Sequence, residues 1–374
     1  MSKIKFFYIL FSALALSSCQ TGKNENTGAE LSIDINQSGN LSSILDSCYT
    51  YTILESREES LIGEISKIEL SEDRIYILDS RYKAVFIFDK KGKFINRIKK
   101  IGQGPGEYTS LTDMEILNSD VYVLARNRVV VYGEDGAWIK TILLDTHYSN
   151  FHLLSDKYII LYSGKTNSTM YDFTLYDYVN KSIIKRFFPY ETSDGYIPYN
   201  SPFYVTDSRE LLIAKEYDYN IYSFADDNLN QKYTLKFNTT HSIPQKDKNV
   251  SMIEFHDQLS RMNVVTRINC LNKSEKYIIL AFPLFHDDLG IRTHFALIDY
   301  QTREIKHIRL GDIIDSAFPY FDEPSLIKNG YVVCPVEADR LIRMEKNFTS
   351  LSLFKDKISE DDNPVLFFYK LKKW

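Results

Sequence analysis

"RIYILDSRYKAVFIFDKKGKFINRIKK", residues 74 to 100, holds three apolar runs separated by turn chemistry. Residues 75–78 and 84–88 are rich in Ile, Val, Tyr and Phe, the composition that packs well on a pleated, half-buried surface. The "DKKGK" before the third run places Gly92 where a tight hairpin needs a positive φ. The stretch therefore predicts consecutive antiparallel strands joined by short turns.

The same unit recurs along the chain. "IYIL" from Ile75 is followed by "VYVL" from Val121, "YIIL" from Tyr158, "LLIA" from Leu211, "YIIL" from Tyr277 and "YVVC" from Tyr331. A polar turn precedes each, and a second apolar run follows: "AVFIF", "RVVVY", "FTLYD", "NIYSF", "FALID" and, from Leu341, "LIRM". "GEDGAWIKTI" repeats the hairpin signal with Asp135-Gly136. Six four-stranded meanders of irregular spacing fit the blades of a β-propeller, because one blade buries its faces only against its neighbours. The expectation is an all-β, six-bladed propeller over residues 45–374, closed by pairing residues 50–54 with 365–371. The largest insertion, near 238–266, contains Met252, Phe255, Leu259 and Met262 at helical spacing and predicts one short helix packed on the core.

"KKIGQGPGEY", residues 99 to 108, poses the question of a phosphate cradle. Its glycines are spaced G-x-G-x-G, the strand-like "LTDMEIL" follows, and no Gly-Lys-Ser/Thr ending occurs, so neither a dinucleotide fingerprint nor a P-loop is present. Pro105-Gly106 instead suits the two central positions of a type II turn. It reads as the corner between two blades.

"LIGEISKIEL" (61–70), "RIYILDS" (74–80), "VFIFDKKGKFINRIKKIGQGPGEY" (85–108) and "DDNPVLFFYKLK" (361–372) together resemble the six-bladed β-propeller lipoproteins of Bacteroidota, relatives of NHL- and TolB-like propellers. The resemblance is densest at 61–117 and 361–372. It implies a secreted, lipid-anchored propeller and carries over no catalytic residue.

The N-terminal residues agree with that expectation. Lys3 and Lys5, an apolar run from Phe6 to Leu16, and "LSSC" ending at Cys19 form a lipoprotein signal peptide over 1–18 with Cys19 as the lipidated residue. The apolar run is too short to span a bilayer of roughly 30 Å. Residues 19–44, rich in Asn, Ser, Gly and Gln, read as a flexible tether. The expected place is the outer membrane, held through the N-terminal lipid and facing the periplasm or the surface, with a monomeric body.

The formal charge is −5, and −7 once residues 1–18 are removed, so a nucleic-acid partner is not expected. Cys48, Cys270 and Cys334 show no C-x-x-C spacing and read as unpaired thiols, although one disulfide stays open. No GxSxG, HExxH or SxxK occurs. "FHDDLGIRTH" (285–294) is the best metal-like cluster, but a solvated hairpin explains it equally.

Function is therefore sought on the loop face around the central channel. The ring of candidates is Asp79, Arg81 and Tyr82; Arg126 and Asn127; Lys165 and Asn167; Tyr217 and Asp218; His286 and Asp287; and Glu337, Asp339 and Arg340. Arg81 and Arg126, at equivalent loop positions, could grip a carboxylate or acidic sugar. The function expected is a noncatalytic binding module for a glycan, peptide or partner protein, with no cofactor. The alternative is a metal-dependent lactonase or hydrolase of the propeller type, which would need Ca²⁺ or Zn²⁺.

Overall fold

The computed structural model describes residues 28–374 except 165–168, 191–197, 199, 248, 312–316, 348–352, 355 and 373–374. Cys19, the segment 1–18, Lys165 and Asn167 lie outside the described residues. Among those described, the chain folds into six sheets.

Two strands precede the first complete blade: β1 (Ala29–Ile33) and β2 (Leu45–Ile53). Blade one is β3 (Lys67–Leu70), β4 (Arg74–Asp79), β5 (Ala84–Asp89) and β6 (Phe94–Ile98), and blade two is β7 (Asp113–Leu117), β8 (Asp120–Ala125), β9 (Arg128–Tyr132) and β10 (Trp138–Leu143). Blade three is β11 (Asn150–Leu153), β12 (Tyr158–Tyr162), β13 (Tyr171–Asp177) and β14 (Ser182–Pro189). Blade four is β15 (Phe203–Val205), β16 (Leu211–Ile213), β17 (Asn220–Ala225) and β18 (Asn228–Phe237). Helix α1 (Met252–Leu259) leads to blade five: β19 (Cys270–Lys273), β20 (Tyr277–His286), β21 (Gly290–Asp299) and β22 (Ile305–Arg309). Blade six has β23 (Leu326–Lys328), β24 (Tyr331–Val336) and, after helix α2 (Ala338–Asn347), β25 (Val365–Leu371). Its outer strand is β2, paired antiparallel from Ile53↔Val365 to Leu45↔Leu371. The fold is the expected six-bladed propeller, and the terminal strands close it as expected.

Each contact between blades is an apolar layer. Phe86 and Leu366 share one layer between blades one and six, as do Ile87 and Val123 between one and two, Val131 and Leu161 between two and three, Ile160 and Ile213 between three and four, Leu235 and Leu280 between four and five, and Phe295 and Phe367 between five and six. All these side chains are buried. Burying such a residue contributes roughly 1.5–3 kcal/mol, which is why a blade is stable only in the ring.

Three expectations concern local structure. The Pro105-Gly106 corner is present: Gly106 has φ +72°, Glu107 N–H donates to the Gly104 carbonyl at 3.1 Å, and Tyr132 Oη donates to the Gly106 carbonyl at 2.6 Å. Helix α1 also forms, capped by Ser251 and Glu254, with Met252, Phe255 and Leu259 buried. "LIRM" is a correction. It belongs to α2, where Leu341 and Met344 share one face at helical spacing against the core, and the third strand of blade six is β25 instead.

The tether is the second correction. Residues 29–44 belong to the body, because Leu31, Ile33 and Ile35 alternate into the layer between blades four and five. Strand β1 pairs in parallel with β18 as a fifth strand of blade four, Gly39 N–H donates to the His307 carbonyl on blade five, and β2 completes blade six. One N-terminal strap thus crosses three blade rims in succession.

Beneath the strap, three histidines form a chain. His307 Nδ1–H donates to the Gln37 carbonyl at 2.8 Å, His294 Nδ1 lies 2.7 Å from His307 Nε2, and His286 Nε2 lies 2.9 Å from His294 Nε2. Phe282 stacks on His294. Burial, reinforced by His307 and His286, pulls His294 down to about 3, and burial lowers His307 as well. None of the helices among the described residues is long and apolar enough to cross a membrane.

Candidate functional site: the central channel

The innermost strands β3, β7, β11, β15, β19 and β23 surround a cavity of about 1080 Å³. Their alternation turns every second side chain toward it, and in blades one to three those side chains are polar: Lys67 and Glu69, Asp113 and Glu115, Asn150 and His152.

These groups join blade to blade. Lys67 Nζ donates to Asp113 Oδ1 and to the Met114 carbonyl, both at 2.8 Å, while Asp113 Oδ2 accepts from Phe151 N–H of blade three at 3.1 Å. His152 Nδ1 lies 2.6 Å from Glu115 Oε1, and Leu153 N–H donates to the other oxygen at 2.8 Å. Tyr204 Oη donates to the Ile268 carbonyl at 2.6 Å. Asn272 Nδ2 donates to Asp207 and to the Ile327 carbonyl, each at 2.9 Å, and Lys328 Nζ reaches the Leu70 carbonyl of blade one at 2.9 Å. A polar chain therefore runs inside the apolar layers from blade four through five, six, one and two to blade three.

The electrostatics follow from that pairing. Burial alone would lower the pKa of Lys67, but Asp113, Glu69 and Glu115 outweigh it and hold the ammonium charged. Burial lifts the Asp113 carboxyl above its ordinary range, with the charge and hydrogen bond of Lys67 and the Phe151 N–H pulling against it. Burial would likewise depress His152, yet Glu115 raises it above its ordinary value, and Glu115 falls below its own. Around the cavity eight carboxylates face four Lys or Arg side chains and His152, an acidic excess.

Of the residues named from sequence, Glu337 and Arg340 border this cavity. Arg340 pairs with Asp322, and desolvation together with Asp339 and Asp322 lifts the pKa of Glu337. Asp79 is buried and accepts from the N–H groups of Gly63, Glu64 and Tyr82 at 2.7, 3.1 and 2.7 Å, which fixes loops. Tyr217, with φ +60°, lines a separate cavity of about 210 Å³ beneath α1 and bonds to His256 Nδ1 at 2.7 Å. Asp218 accepts from Tyr222 Oη, His286 ends the histidine chain, and Asp339 pairs with Arg343. Arg81, Tyr82, Arg126, Asn127 and Asp287 are exposed and line neither cavity. The loop face is thus not gathered into one site.

The strand-borne groups that do converge escaped the sequence reading. Their signal was polar residues at i and i+2 opening a blade, as in "KIE", "DME" and "NFH". Among the described residues no group of three His, Cys, Asp or Glu is placed to hold a metal ion. Cys48, Cys270 and Cys334 are all free.

The family model for a domain of unknown function, DUF4934, matches residues 29–370. A candidate exported protein of Bacteroides fragilis has a similar crystal structure: TM-score 0.76 at 19% identity, covering 92% of this chain and all of that one. A DUF4221 family member from Bacteroides vulgatus is similar at TM-score 0.56 and 12% identity, over 88% of this chain and 97% of that one. No curated protein matches the chain in sequence.

Proposed function

The chain belongs to the DUF4934 family, and from that premise we propose that it is an extracytoplasmic binding module, held to the outer membrane by a lipid on Cys19. Its ligand enters the central channel at the mouth bearing Glu64 and Glu337. The observation that carries this reading is the polar lining of a wide channel whose buried charges are already paired, a preorganised site that needs no rearrangement to receive a polar guest. The acidic excess favours a neutral or cationic guest, a peptide or an amino-bearing glycan, over the acidic sugar that Arg81 and Arg126 would suit. The exported neighbour from Bacteroides fragilis is consistent with that location. Peptide and glycan arrays probed with the wild type and with Glu64→Gln/Glu337→Gln test the reading. The folded variant should bind about tenfold more weakly, the worth of one shielded charge-assisted contact; undiminished binding would move the site elsewhere.

A further inference from the structure

The outermost strands of blades one to three differ from the rest of the rim. Blades four and five carry the N-terminal strap on their outer edges and β2 completes blade six, whereas among the described residues β6, β10 and β14 have no strand beyond them. Residues 90–101, 138–143 and 179–189, which contain these strands, hold ten Lys or Arg and no Asp or Glu, in a chain whose balance is −5. Lys91, Lys93, Arg97, Lys99 and Lys100 are exposed on blade one. The acidic overall charge therefore conceals a basic stretch of the rim.

Large apolar side chains stand exposed between these cations. Ile95 is 44% exposed, Trp138 49%, Ile139 47% and Leu143 57%, with Ile183 and Ile184 beyond them. The strands adjoin: Asn96 Nδ2 donates to the Glu134 carbonyl at 2.8 Å, a Cβ on Gly106 would touch Trp138, and Arg186 pairs with Asp145. Edge lysines commonly guard against strand pairing, but exposed Trp, Ile and Leu work against that purpose.

We propose that the rim of blades one and two rests on an anionic bilayer. Lys and Arg engage the headgroups while Trp138, Ile139, Leu143 and Ile95 enter the interface.

The test uses residues 19–374 carrying Cys19→Ser, so that neither the apolar leader nor an N-terminal acyl group contributes, with vesicles of phosphatidylcholine alone or mixed equally with phosphatidylglycerol. The protein should cosediment with the anionic vesicles and be released by salt. Lys93→Glu/Arg97→Glu/Lys99→Glu should reduce partitioning about a hundredfold, since each cation near the surface counts for several-fold. Trp138→Ser/Ile139→Ser/Leu143→Ser should keep the preference for anionic vesicles and bind more weakly. Folded variants that sediment like the parent would overturn the proposal. So would self-association of the parent that the apolar variant abolishes, which would make the rim a contact between copies, or equal binding to soluble polyglutamate, which would point to an acidic protein.

Discussion

His152 of blade three holds its Nδ1 2.6 Å from the carboxylate of Glu115 of blade two, and through that contact two inner strands share a charge inside the channel. The raised pKa of His152 sets the sign of its effect. A raised histidine contributes fully below its ordinary value of about 6.5 and loses that contribution as pH climbs through the raised one. Glu115, held below its ordinary range, stays ionised across that window and fails only in stronger acid. His152→Gln should therefore cost on the order of 1.5–3 kcal/mol near pH 6 and much less well above neutrality. Denaturant midpoints of variant and parent at several pH values check it; a pH-independent difference would show that His152 acts by packing alone.

Lys67 and Asp113 offer a test of the same polar chain. Lys67→Met leaves a nearly fully buried carboxylate without its cation, a loss of roughly 3–5 kcal/mol. Adding Asp113→Asn should recover much of it, because the amide needs no counter-charge. Urea unfolding of the single and double variants reads the difference.

The strap makes a prediction of opposite sign. His294 and His307 lie below their ordinary pKa, so their neutral forms support the fold fully above about 6.5 and are opposed as pH falls toward the lowered values. Amide protection factors at residues 29–39 should be high at neutral pH and fall in acid before those of the inner strands. His307→Phe, which removes the bond to Gln37, should lower them at neutral pH as well.

Two glycines separate backbone strain from crowding. Gly106 has φ +72° and a Cβ there would lie 2.5 Å from Trp138 Cγ, whereas Gly290 has φ +69° and open space around it. Gly290→Ala should cost about 1–2 kcal/mol, the left-handed penalty alone. Gly106→Ala should cost more, and the melting temperatures of the two variants give the comparison.

The fold was legible because strand chemistry is local: "IYIL" and its five counterparts each became the second strand of a blade, and the hairpin glycines fell where the turns are. "LIRM" misled because four residues cannot separate a strand from the buried face of a helix. The strap was hidden by composition, since Leu31, Ile33 and Ile35 are few among polar neighbours and gain their meaning only from two blades far along the chain. The channel was hidden for a similar reason. Loops are where polar residues gather, so the loop face stood out, while Lys67, Asp113, Glu115 and His152 sit in strands and meet only when neighbouring blades pack.

Hydrogen–deuterium exchange with and without an array-selected peptide or glycan shows whether the channel receives the ligand. Added protection is expected at the mouth, in residues 63–66, 111–113 and 322–326, with the rim strands β6 and β10 unchanged. Protection confined to the loops of Arg81 and Arg126, with the mouth unaffected, would place the ligand outside the channel.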